Sequence, residues 1–152
     1  MRKEEEEYEL IDYYIRMSWH KIARMYNNKA NEHGVTNSIA YILMIVEKEG
    51  TPSTTLGPMM GMRPTSLSRT LKTMEDDDLI YRKQSEEDSR SVLIFLTEKG
   101  IKMRKIAIET IMDFNNTIKS KVSPAKLNGF YEVMRAINEL TTEELKNENN
   151  KK

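Results

Sequence analysis

The chain contains no cysteine. That excludes disulfide staples, thiolate metal sites and any sensor that works by cysteine oxidation. It also lacks an apolar run near the roughly 18 residues that a membrane-spanning helix requires. Its charged start, MRKEEEEYE, does not read as a secretory signal. Glycine is scarce, and the six present fall at expected helix breaks and turns, so no phosphate-cradling loop or nucleophile elbow is formed. The only histidines, His20 and His33, are separated by an expected break and have no carboxylate pattern of a metal site around them. They read as surface or packing residues. No enzyme, cofactor or metal centre is expected. Net charge is also lacking, with 24 basic and 24 acidic side chains. A nucleic-acid binder usually shows a basic excess, so any such role must come from how charge is distributed.

What is present is organised around Ser53 to Leu96. Leu56, Met60 and Met62 give a first short helix and turn an apolar side, and Gly61 stands where the chain bends. Leu67, Leu71 and Met74 recur at i, i+4, i+7, one face of a second helix. The opposite face carries Thr65, Arg69, Lys72 and Thr73, with Ser66 and Ser68 on its flanks. Arg63, Arg69 and Lys72 have no acid among them until Glu75. Small hydroxyls and cations on one face suit a DNA major groove, where Arg reads guanine and Ser or Thr reaches phosphate or base. LIYRKQ, the polar loop SEEDSR and the β-branched and aromatic run SVLIFLT then read as a hairpin with a charged tip. A hairpin directly after such a helix is a winged helix-turn-helix, here with about six helices and a two- or three-stranded wing.

The ordered set resembles the MarR family of bacterial transcriptional regulators. It comprises Leu56, Met60-Gly61-Met62, Thr65 to Arg69, Met74-Glu75, Leu79-Ile80-Tyr81-Arg82, Asp88-Ser89-Arg90 and Leu96-Thr97-Glu98-Lys99-Gly100. The resemblance implies a mainly α winged helix-turn-helix that binds double-stranded DNA at a pseudo-palindromic operator. It implies a cytoplasmic homodimer, acting as a repressor responsive to a small-molecule effector. DNA contacts fall to Arg63, Pro64, Thr65, Ser66, Ser68, Arg69, Lys72 and Thr73 on the helix and to Asp88 and Arg90 on the wing. In the family the wing arginine enters the minor groove and the aspartate steadies the loop, which is physically sensible for a narrow groove. Ser89 replaces an arginine common in relatives, which weakens the wing. The other reading of Asp88 and Arg90 is a charged tip that keeps a hairpin edge soluble. Asp78 stands where the family usually has glycine, and Asp tolerates the left-handed geometry that ends a helix.

The flanks read as helices, and the chain as a single domain over 1–152 with its winged helix at about 36–97. A long first helix runs from Glu4 to about Asn31, its glutamates favouring the N-terminus. Gly34 ends it, and Thr36 or Asn37 can cap a second helix over Ile39 to Lys48. Gly50-Thr51-Pro52 reads as a loop. Pro58 leaves two possibilities: a late start capped by Thr54 or Thr55, or a kink. Thr97 caps a helix to about Lys121. Ser123-Pro124 opens a last helix to about Leu145, with Asn147 to Lys152 frayed. Leu10 and Tyr14 on the first helix and the Leu127, Phe130, Met134 and Ile137 seam on the last make dimer contacts. Trp19, Tyr26 and Tyr41 are candidates for an effector pocket between the first, second and fifth helices, against the alternative of ordinary helix packing or dimer contact. A protein of another class, an effector-independent architectural or protein-interaction winged helix, fits the same pattern and would show no DNA sequence preference.

Overall fold

The structure, a computed structural model, describes residues 10–150. The expected helix start at Glu4 to Glu7 lies outside them. Six helices and three short strands follow in the order α1 (Ile11–Glu32), α2 (Asn37–Ile45), β1 (Thr51–Pro52), α3 (Ser53–Met60), α4 (Pro64–Asp76), β2 (Ile80–Gln84), β3 (Val92–Leu96), α5 (Glu98–Lys121) and α6 (Pro124–Asn149). This is the mainly α winged helix-turn-helix expected. Contacts divide the chain into two compact units between Thr110 and Ile111, within α5.

In the first unit the core gathers one face from each element. Ile39, Ile42, Leu43 and Val46 meet Leu56 of α3, Leu67, Leu71 and Met74 of α4, and Leu79, Ile80 and Ile94 at the root of the hairpin. Burying such side chains stabilises by roughly 1.5–3 kcal/mol each, which fixes the inward face of α4 and therefore its outward one. Three helices end by the same device. Gly34 (φ +76°), Gly61 (φ +62°) and Asp78 (φ +57°) adopt the left-handed region. The next N–H then reaches back five residues: Val35 to Ala30, Met62 to Gly57, Leu79 to Met74. Thr36 caps α2 through the Ile39 N–H (3.3 Å), and Ser123 caps α6 through the Lys126 N–H (3.3 Å).

Four expectations are corrected. Helix α2 stops at Ile45 rather than Lys48, because the Thr51 hydroxyl takes the Glu47 N–H (2.8 Å) and Arg104 Nη1 donates to the Val46 carbonyl (2.8 Å). Thr51–Pro52 is not a loop but a third strand, pairing Thr51 with Ile94 and Pro52 with Leu93. Its shortness and proline suit a sheet edge. Helix α3 begins at Ser53, so neither Thr54 nor Thr55 caps it, and Pro58 sits inside it. The missing N–H would have met the Thr54 carbonyl; both residues are exposed, so water can take its place. Finally, α6 continues to Asn149, past the expected end at Leu145. Among the described residues no helix is long and apolar enough to cross a membrane.

Candidate nucleic-acid interface

Helix α4 opens with Pro64 in its first turn and buries Leu67, Leu71 and Met74. That leaves Arg63, Pro64, Thr65, Ser66, Ser68, Arg69, Lys72 and Thr73 exposed on the other side, as the period requires. Thr73 Oγ1 donates to the Arg69 carbonyl (3.2 Å), which leaves the hydroxyl oxygen free to accept. No ion pair engages Arg63, Arg69 or Arg90 among the described residues. Lys72 differs. It pairs with Asp76 one turn on at 3.2 Å, both side chains well exposed. Such a pair contributes only about 0.2–0.5 kcal/mol, so it offers weak competition to a phosphate. The i, i+4 spacing was readable in the sequence.

The helix is thereby polarised. Its N-terminal half has free N–H groups, Arg63 and Arg69 with no acid; its C-terminal end has Glu75, Asp76, Asp77 and Asp78 in succession. Helix dipole and side chains act in the same direction. A polyanion is attracted at one end and repelled at the other, and zero net charge does not weaken that local field.

The hairpin pairs Ile80 with Leu96, Tyr81 with Phe95, Arg82 with Ile94, Lys83 with Leu93 and Gln84 with Val92. Tyr81 and Phe95 stack at 5.3 Å between ring centroids, a cross-strand pair of the stabilising kind. Arg82 Nε donates to Glu75 Oε2 at 2.9 Å, joining the wing to α4. Seven residues and a turn separate the two, so no helical spacing announced the pair. At the tip, Asp88 Oδ1 accepts the Arg90 N–H (3.0 Å), and the Ser85 hydroxyl accepts from Glu87 and Asp88 (3.3 Å each). Gln84 Nε2 donates to the Ser89 carbonyl. Asp88 thus folds the tip through the backbone and leaves the Arg90 side chain exposed.

The effector candidates differ in burial. Trp19 is 61% exposed and Tyr41 47%, while Tyr26 is half-buried, its phenol pushed up by desolvation. A cavity of about 580 Å³ lies elsewhere, lined by Val46, Tyr81, Phe95, Ile101, Arg104 and Ile108 among others; Trp19, Tyr26 and Tyr41 do not line it. The cavity's walls come from the segment just after α2, the wing and α5, distant in sequence, so spacing could not reveal it. His20 and His33 are exposed, and among the described residues no group of three or more His, Asp or Glu could hold a metal ion.

Residues 36–92 match the family model described as MarR family. The organic hydroperoxide resistance transcriptional regulator of Bacillus subtilis is 40% identical over 68 residues, which cover 45% of this chain and 46% of that protein. The transcriptional regulator SarZ of Staphylococcus aureus is 28% identical over 100 residues, covering 62% and 68%. The chain spans about half the length of the first of these relatives. Among solved structures, the S. aureus MepR–DNA complex aligns at a TM-score of 0.77 with 20% identity, covering 86% of this chain and 97% of that one. The MarR family transcription regulator SP03579 aligns at 0.78 with 22% identity, covering 86% and 87%. At such identities these structures show the fold.

Proposed function

We propose that this chain, whose residues 36–92 match the family model described as MarR family, is a MarR-like, sequence-specific double-stranded-DNA-binding transcriptional regulator, working as a homodimer. One observation carries the reading: the N-terminal half of α4 and the residue before it expose Arg63, Thr65, Ser66, Ser68 and Arg69, with no acid paired to them among the described residues. Support also comes from MepR, a protein of this fold solved with DNA. Repression at a pseudo-palindromic operator, relieved by a small effector in the cytoplasm, completes the proposal. Trp19, Tyr26 and Tyr41 are the aromatic candidates for that effector. The reading is tested by selecting preferred duplexes from a random pool. An inverted repeat supports it; no enrichment would favour the architectural alternative.

The proposed two-fold contact rests on exposed apolar surface. Among its described residues α6 buries none, and Phe130, Leu140 and Leu145 are 55%, 64% and 61% exposed. Leu127, Met134 and Ile137 are only half-buried, and Leu10 just before α1 and Tyr14 on it lie open. Large apolar side chains left open along α6 suit an interface, and two-fold pairs are the commonest closed assembly. Sedimentation should give a dimer at micromolar concentration for the unmodified chain and a monomer for Phe130→Glu with Met134→Glu. A monomeric parent sinks the dimer.

Wing contact has a salt signature. Arg90→Ala should weaken binding to every duplex alike and make the log–log salt dependence shallower by about one unit per subunit if one phosphate contact is lost. Titration at several salt concentrations measures it. Binding identical to the parent at every salt leaves Arg90 as a solubilising tip residue.

A further inference from the structure

The C-terminal end of α4 is built against its own electrostatics. A helix's last turn presents unpaired carbonyls and partial negative charge, yet Glu75 to Asp78 are all acidic. Four groups answer them. Lys72 pairs with Asp76 and Arg82 with Glu75. From the start of α5, Lys99 Nζ donates to the Asp77 carbonyl (2.7 Å) and the Thr97 hydroxyl donates to the Asp78 carbonyl (2.6 Å). The Thr97 N–H adds a bond to the Leu79 carbonyl (3.1 Å). The same Thr97 hydroxyl accepts the Gly100 N–H (3.0 Å), so it caps α5 while holding the end of α4. Three of these bonds end on backbone carbonyls, which have no rotamers to change. The end of α4 is therefore fixed to the first turn of α5 more firmly than surface ion pairs alone could fix it.

We propose that Thr97 and Lys99 are positioning residues for DNA recognition: they set the angle at which α5 presents α4, and with it the spacing of the two reading faces in the dimer. The proposal rests on the DNA-binding dimer described above. Neither residue touches DNA, since both bind the end of α4 remote from Arg63 and Thr65. They act through the helix they hold. Their effect falls on geometry, so it should show as a change in half-site spacing preference and not as a uniform loss of affinity.

The test uses the full chain and three kinds of duplex: the preferred inverted repeat, the same half-sites moved one base pair nearer or farther, and an isolated half-site. The parent should lose about tenfold on either shifted duplex, the size of one mismatched position. Lys99→Met, at an exposed position, and Thr97→Val should lose less than about threefold across the same series while binding the isolated half-site like the parent. Thr97→Ser keeps the hydroxyl and should restore the parent's pattern. An unchanged spacing preference in both Lys99→Met and Thr97→Val overturns the proposal, and so does an equal loss on every duplex, the mark of a role in stability alone. A parent with no sequence preference overturns the DNA reading and the clamp together. That failure is separate, because it appears before any variant is made.

Discussion

Gly100→Ala is expected to destabilise the protein by about 3 kcal/mol or more, the upper range for overpacking a tight site. A methyl group there would overlap the Leu79 carbonyl oxygen, with the Leu96 side chain at 3.4 Å on another side. That carbonyl cannot retreat cheaply, because it accepts the Thr97 N–H and belongs to the turn that closes α4. Helix propensity alone predicts the opposite sign, since alanine in a helix interior is favoured over glycine by about 1 kcal/mol. The site is buried and within the first turn of α5, so close approach decides over propensity. Thermal unfolding should show a fall of about 10 °C for a chain of this size. An unchanged or raised midpoint would mean that α5 and the turn before β2 can separate without cost.

Arg69→Ala should leave the fold intact and weaken DNA binding selectively. Arg69 is exposed and engages no ion pair among the described residues, and alanine is the better helix former. If the guanidinium reads a guanine edge, its loss costs on the order of 1–3 kcal/mol per half-site and relaxes preference at one position in each. If it holds a phosphate, the loss is nearly uniform across sequences. Titration of parent and variant against matched and singly mutated duplexes separates the two. Unchanged affinity on all of them would remove Arg69 from the interface.

The outward face of α4 was legible because its inward face was. Three apolar residues at helical spacing can be buried only one way, and the exposed set follows by rotation. Helix ends were legible where one residue's own chemistry decides them, as with Gly34, Gly61, Asp78, Thr97 and Ser123. Elements decided by distant partners were not. Helix α2 ends early because Thr51 and Arg104 take up its last groups, and Thr51–Pro52 becomes a strand only because β3 lies beside it. The same limit applies to the interface. Candidate DNA-facing residues could be named from periodicity, whereas the Arg82–Glu75 pair and the Thr97 and Lys99 bonds to α4 depend on how the wing and α5 fold back. Gly100 was visible as part of a pattern, but its reason, a neighbouring carbonyl, was not.

The central claim is that two copies of α4 read two inverted half-sites. Its most direct test is titration of the unmodified protein against its selected duplex and against the same duplex with both half-sites scrambled, at one salt concentration, with footprinting of the complex. A dimeric reader should bind the selected duplex at least about 10³-fold more tightly. It should protect two inverted half-sites about 10 base pairs apart, centre to centre. Equal binding to both duplexes, or protection of one isolated half-site, would contradict it.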